Sequence, residues 1–395
     1  MTAAGGRGSE TDLTELLGDA SVVVACGSGG VGKTTVSAAL GLALVERYDK
    51  RVLVLTVDPA RRLATALGLE AMGVDPVPVS AARLRRAGIT PRGELVAAML
   101  DPKSSWDRLV ERHSPSREAA QRIRANPFYK GISDAFVGSH EYIAMETLYE
   151  LHAANEYDVL VIDTPPSRNA LDFLDAPTRM SDFVGGRLLS WLARPSRVGW
   201  RAVNFAATPF LRMADRLLGA EVLADLAAFV NEVQGLYGGI QERARQVYRL
   251  LRSPQTGFVV VTTLEPQPFS EAEYFANRLR EYRMPLRALV VNRVLPPSLR
   301  DPSATQAATA LSEGDEQLLR VLTDPGSGGD RLTAEAAARL GDAFLLLHRL
   351  AERDERQVRR LSAFGKVPIA RLPLAESEVV DIEGLAQLVR HMEGG

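Results

Sequence analysis

Apolar residues in this chain cluster into short unbroken runs, and helical spacing fills the stretches between them. The runs are Val22 to Cys26, Arg51 to Val57, Asp158 to Ile162, Gly257 to Thr262, Leu286 to Val291 and Val367 to Leu372. They are rich in β-branched residues and nearly all apolar, as strands buried on both faces require. Val36 to Arg47 and Ile382 to His391 carry a helical pattern. Strand and helix in alternation predict an α/β fold, a parallel sheet with helices on both faces. Two stretches, about 94–154 and 178–252, are far longer than ordinary connections and predict helical insertions. The first shows helical spacing at Trp106/Leu109/Val110 and Tyr142/Met145/Leu148/Tyr149. The segment 296–330 is rich in Pro, Ser, Ala and Asp, and its outer parts read as mobile. Residues 1–20 read as a disordered tail and 21–395 as one domain.

The second insertion is distinctive. Phe183, Leu188, Trp191, Trp200, Phe205 and Phe210 interleave with Arg187, Arg194, Arg197, Arg201, Arg212 and Arg216. Two readings stay open. One is a helical layer packed on the core; the other is an apolar surface with a basic rim for a hydrophobic client or a membrane face.

The first strand runs into Gly27-Ser28-Gly29-Gly30-Val31-Gly32-Lys33-Thr34-Thr35, a G-x-x-x-x-G-K-[ST] loop between strand and helix. That context confirms a phosphate-binding loop. Glycines let backbone N–H groups close around an anion, and the helix N-terminus adds positive potential. Lys33 is expected on the β- and γ-phosphates, Thr34 on Mg²⁺ and Thr35 on the inner phosphates. Two carboxylates, Asp58 and Asp163, end neighbouring strands at the edge where open parallel sheets bind ligands. Asp163 follows four apolar residues and is expected to reach Mg²⁺ directly or through water. Asp58, followed by Pro59, is expected to orient or deprotonate the attacking water; the alternative is a helix N-cap.

Composition excludes several classes. The net charge of −2 gives no global field favouring nucleic acid. A single cysteine, Cys26, excludes a disulfide framework and a cysteine-held zinc site or iron–sulfur cluster within one chain. The five histidines show no metal-ligand spacing. No secretory signal and no apolar run of membrane-spanning length is visible. A cytoplasmic protein is expected, with peripheral attachment to the inner membrane as a variant. The acidic Asp381-Ile382-Glu383 end argues against a partition-type ATPase with a basic amphipathic C-terminal helix.

The loop, Val57-Asp58-Pro59-Ala60, Asp163-Thr164-Pro165-Pro166-Ser167, Asn292-Arg293, and Val367-Pro368 with Leu372-Pro373-Leu374 occur in the order of the ArsA-like ATPases. The chain resembles that family from about Val22 to Val389, and looks most like an actinobacterial branch with paired subunits. The resemblance implies a deviant P-loop NTPase core, nucleotide-dependent dimers, and ATP and Mg²⁺ as ligands. It implies that Asp58 is the catalytic switch I aspartate and that 163–167 is switch II. Asn292 and the 368–373 loop, with Arg293 and Pro373, would form the adenine pocket, and the helical insertions a client subdomain. The family's loop usually carries a lysine where Ser28 stands, and that lysine reaches the partner's phosphates. Its loss here implies a heterodimer with a related subunit that keeps the lysine, a homodimer being the alternative. Arg61 or Arg62 could compensate for the missing charge. The lack of further cysteines sets the chain apart from zinc-clamped and metalloid-binding members. The function expected is Mg²⁺-dependent ATP hydrolysis that switches an apolar client or partner surface. The alternative is a regulatory ATP-binding subunit with little hydrolysis of its own.

Overall fold

The computed structural model describes residues 12–57, 62–70, 72–126, 129, 140–164, 229, 242–318, 333–362, 367–375 and 378–392. The strands are β1 (Val22–Cys26), β2 (Arg51–Thr56), β3 (Val77–Pro78), β4 (Glu94–Met99), β5 (Val159–Asp163), β6 (Thr256–Thr262), β7 (Leu286–Val294) and β8 (Ile369–Pro373). They form one sheet in the order β3-β4-β2-β5-β1-β6-β7-β8. Every pairing is parallel except that of β3 with β4. The α/β class read from the runs is therefore the fold observed. Glu94–Met99 differs from expectation: the insertion reading starts there, yet these residues pair along the whole of β2. Ala97 and Ala98 blur the strand signal, since alanine has little strand preference.

Continuous apolar strands follow from two cores, one on each face of the sheet. Val22, Val24, Leu160, Ile162, Phe258 and Val260 point into one. Val23, Val159, Val161, Val259 and Val261 point into the other. Successive side chains alternate in direction, so a central strand buried on both faces is apolar along its middle, with buried polar residues such as Thr56, Asp163, Thr256 and Thr262 at strand ends. The second face is covered chiefly by α1 (Leu13–Leu17), α2 (Lys33–Arg47) and α11 (Ile382–Met392). In α11 the buried positions Ile382, Leu385, Ala386, Leu388, Val389 and Met392 make one apolar stripe. Asp381 starts that helix by accepting the Gly384 N–H at 2.9 Å.

The first face is covered by α5 (Pro102–His113), α6 (Arg117–Ala125), α7 (His140–Ala154), a helix over 242–251, and α8 (Pro266–Glu281). α5 begins as its sequence dictates: Asp101 accepts the N–H groups of Lys103 and Ser104, and Pro102 occupies the first turn. Behind this layer Glu146 is 3% exposed, and Arg243 Nε lies 3.0 Å from its Oε1. The Arg243 guanidinium also stacks over Tyr149, 4.5 Å from the ring centre. This pair ties the chain re-entering from the second insertion to α7. The apolar stretch 178–228 and the remainder of that insertion up to 241, Phe229 excepted, lie outside the described residues.

Between β7 and β8 the chain forms a 3₁₀ turn (Pro297–Arg300), then α9 (Pro302–Glu313) and the 29-residue α10 (Ala334–Ser362). Of the segment 296–330, whose outer parts read as mobile from composition, Pro302–Glu313 is a helix capped by Asp301 at one end and left-handed Gly314 at the other, and 319–330 lies outside the described residues. Gly341 lets α9 approach α10; a Cβ there would lie 2.5 Å from the Ala308 carbonyl oxygen. Glu355 fastens α10 to the sheet edge, bonding Arg371 at 2.9 Å and pairing with Arg300 at 3.2 Å. Burial alone would raise its carboxyl, but the Arg371 hydrogen bond and the charges of Arg371, Arg300 and Arg359 hold it below the ordinary glutamate value. Among the described residues no helix is long and apolar enough to cross a membrane.

Two stability predictions arise. Arg243→Ala strands the buried Glu146 charge and is expected to cost about 3–5 kcal/mol in urea unfolding. Arg243→Met with Glu146→Gln should recover most of that; equal losses in both variants would show that the charge is not the cause. Glu355→Gln is expected to cost about 1 kcal/mol at neutral pH, modest because the network is partly solvated. A carboxyl with a depressed folded value stabilises above its unfolded value of about 4.5 and loses that contribution as pH falls below it. Melting curves of the two proteins should therefore converge in acid.

Candidate functional site: a phosphate-binding loop at the sheet edge

The loop leaves β1, the strand between β5 and β6, so its ligand lies over the middle of the sheet. Gly27 roots it with φ of +150°; a Cβ there would fall 2.1 Å from the Val261 carbonyl oxygen. Gly32 ends it in the left-handed region, φ +93°, and is the N-cap of α2. A side chain at Gly32 would meet the Asn292 amide nitrogen at 2.3 Å. Both positions need glycine for backbone conformation and for space.

The two expected metal ligands are brought together. Thr34 Oγ1 donates to Asp163 Oδ2 at 2.7 Å, and Thr56 Oγ1 donates to the same oxygen at 2.8 Å. Asp163 is fully buried and stands in register with Thr56 of β2 and Ala25 of β1. Parallel pairing creates that proximity: three strand ends reach the same edge. With its proton directed at Asp163, Thr34 keeps its lone pairs for a cation in the cavity that it lines. A hydroxyl backed by a carboxylate is a hard oxygen donor set that fits Mg²⁺. Thr56 is the residue that sequence reading misses; a lone polar position at the end of an apolar strand was its signal.

Lys33 is 6% exposed, and its Nζ donates to the Ser28 carbonyl at 2.8 Å, closing the loop on itself. Beneath it lies Cys26, whose thiol burial pushes well up, while the Lys33 charge pulls the other way. Its Sγ contacts the Val259 carbonyl at 3.5 Å, and the residue serves as core. Ser28 is 7% exposed, and its hydroxyl is buried with no hydrogen-bond partner among the described residues.

Above the loop is a cavity of about 520 Å³. The loop contributes Gly30, Gly32, Lys33, Thr34 and Thr35 to its wall; Arg62, Thr65 and Ala66 come from α3 (Arg62–Ala66). Thr164, Arg293 and Glu378 to Val380 complete it. Asn292 lies behind the loop rather than on this wall. Its amide nitrogen donates to the Val31 carbonyl at 2.9 Å, and its oxygen accepts the Arg293 N–H at 2.9 Å. Arg293 takes a left-handed backbone, φ +60°, as the chain leaves the sheet. Pro373 ends β8, where the Leu374 N–H bonds the Val294 carbonyl at 2.9 Å; the wall beyond it is made by residues 378–380. Asp58 to Arg61 and Pro165 to Ser167, expected as the two switch segments, lie outside the described residues.

A glycine loop with a buried Thr–Asp pair at the edge of a parallel sheet defines a P-loop nucleotide hydrolase. Comparison with known proteins makes this specific. The family model described as an anion-transporting ATPase, the ArsA ATPase family, matches residues 20–311. The chain belongs to this family of ATP-hydrolysing enzymes. It is 25% identical over 280 residues to a protein of Aquifex aeolicus named for driving an arsenical pump, covering 70% of this chain and 80% of that one. It is 29% identical over 276 residues to the ATPase get3 of Schizosaccharomyces japonicus, covering 68% and 73%. With the ATPase GET3 of Phaeosphaeria nodorum the identity is 28% over 278 residues, covering 70% and 77%.

Asn292→Ala would leave the Val31 carbonyl without its donor and loosen the loop. The expected cost is about 1–3 kcal/mol of stability, with ATP binding weakened at least fivefold in a fluorescent-nucleotide titration. Unchanged binding would show that Asn292 does not hold the loop.

Proposed function

We propose that this chain is a Mg²⁺-dependent ATPase whose nucleotide state switches a helical partner or client surface, and that it works as a dimer with a related subunit. The observation that carries the metal and nucleotide assignment is the buried Asp163–Thr56 pair bonded to Thr34, which lines the cavity. Loop N–H groups and Lys33 would hold the β- and γ-phosphates. Mg²⁺, held by Thr34 with Asp163 behind it, would neutralise the phosphate oxygens. Asp58 would orient the attacking water and accept its proton. Asn292, Arg293 and Pro373 would set the base end, Asn292 by fixing the loop from behind. The switch segments at Asp58 and after Asp163 would follow the γ-phosphate and pass its loss to the helical insertions.

Ser28 supports the choice of partner. Its side chain is short, uncharged and covered by its own chain, so it offers no cation to a second subunit. A subunit with lysine at this position would serve the site built on Lys33, while its own site would face Ser28. Turnover would then be unequal in the two halves. The runner-up is a regulatory subunit that binds ATP and leaves hydrolysis to its partner.

The assay is phosphate release from Mg²⁺-ATP by the purified chain, with Lys33→Ala as the blank. The expected result is slow release above the blank, rising about tenfold or more when a related lysine-bearing subunit is added. Release equal to the blank for the chain alone, with release in the presence of that subunit left unchanged by Lys33→Ala in this chain, would favour the regulatory reading. In the heterodimer, Ser28→Lys should speed the slower half; no change in total turnover would remove the asymmetry.

A further inference from the structure

Among the described residues the cavity wall carries three cations: Lys33, Arg62 and Arg293. Lys33 belongs to the loop. The other two enter from opposite sides, as the strand order β2-β5-β1-β6-β7 around the loop shows. Arg62 opens α3, on the chain that has just left β2; Arg293 sits near the end of β7. Each is two strands from β1, but the sides are unlike. On the Arg62 side lies β5, and Asp163 bonded to Thr34 marks where the metal and the terminal phosphate must be. Thr65 and Thr164 complete that polar wall. On the Arg293 side the wall adds Glu378, Val379 and Val380. Two apolar side chains and a carboxylate suit a base and its amino group, and the carboxylate repels phosphate.

We propose that Arg62 is a catalytic cation of this ATPase, contacting the γ-phosphate within its own chain, whereas Arg293 serves the base end. The inference rests on reading the cavity as the Mg²⁺-ATP site. In hydrolysis a bond forms from water oxygen to the γ-phosphorus and the bond from that phosphorus to the β–γ bridging oxygen breaks. ADP leaves with the bonding electrons, and the water proton passes to Asp58. Negative charge moves onto the bridging and γ oxygens, where a fixed cation stabilises the transition state more than bound ATP. A guanidinium stays charged at every relevant pH, and its forked N–H groups match two phosphate oxygens. Arg62 is exposed and lines the cavity, so its charge stays solvated and costs little desolvation. It acts on this chain's own site whether or not a partner adds a second cation.

The test compares wild type, Arg62→Ala, Arg62→Lys and Arg293→Ala in steady-state phosphate release and in fluorescent-ADP binding. Arg62→Ala should lower kcat about a hundredfold with KM and ADP affinity within twofold of wild type. Arg62→Lys should keep an intermediate rate, and added guanidinium should restore part of the Arg62→Ala rate. Arg293→Ala should instead raise KM and weaken ADP at near-normal kcat. If wild type hydrolyses ATP and Arg62→Ala matches it, or loses ADP binding in proportion to rate, the Arg62 assignment is wrong and the ATPase reading stands. If neither wild type nor Arg62→Ala exceeds the Lys33→Ala blank in binding or turnover, the ATP-site reading itself fails.

Discussion

Asp163 is a carboxylate placed at zero exposure between three parallel strands, and it survives there because two threonines donate to one of its oxygens. An unsatisfied carboxylate in such a position would be too costly to keep charged. Thr34 comes from the loop after β1, Thr56 from the end of β2, and Asp163 from the end of β5. The order of the central strands, the register of β5 between its neighbours and the position of the loop thus meet at one group. Disturbing any of the three elements exposes or strands the charge. The same carboxylate orients the hydroxyl that faces the cavity, so the constraint that holds the core together also orders the proposed metal site.

A second support acts from the other side. Asn292 in β7 reaches the Val31 carbonyl, and Gly32 can sit against it only because it has no side chain. The loop is held between the Asp163 cluster and the Asn292 strap by bonds within the chain itself. Such preorganisation lowers the ordering cost of binding. The segments expected to move with the nucleotide follow Asp58 and Asp163, next to these fixed points. In the proposed mechanism the bonded floor would stay in place while loss of a phosphate acts on those segments.

The match to the ArsA ATPase family ends at residue 311, within α9. Beyond it, α10 returns along α9 through the contact at Gly341 and is fastened to β8 by Glu355. This hairpin enters between β7, which carries Asn292 and Arg293, and β8, which leads to Glu378, Val379 and Val380. Its attachment therefore bears on the Arg293 side of the cavity, away from Thr34 and Asp163. The exposed Leu340, Leu346 and Leu347 lie on α10.

By itself the sequence determined the chemistry that depends on local order. The glycine loop, Lys33 and Thr34 are contiguous, and a strand–loop–helix segment carries its function in its spacing. The six apolar runs determined a parallel sheet, because burial on both faces leaves a recognisable pattern. Asp163 was legible because its four preceding residues are apolar. Only the tertiary structure decided what depends on lateral neighbours. β4 was hidden by its alanines and became a strand by pairing with β2. Thr56 gained its role from register with Asp163, more than a hundred positions away in the chain. Arg62 and Arg293 were set on opposite sides of one cavity by strand order, which periodicity along a chain does not encode. Local patterns record which face of an element is buried; which element lies beside it is settled only when the whole sheet closes its two cores.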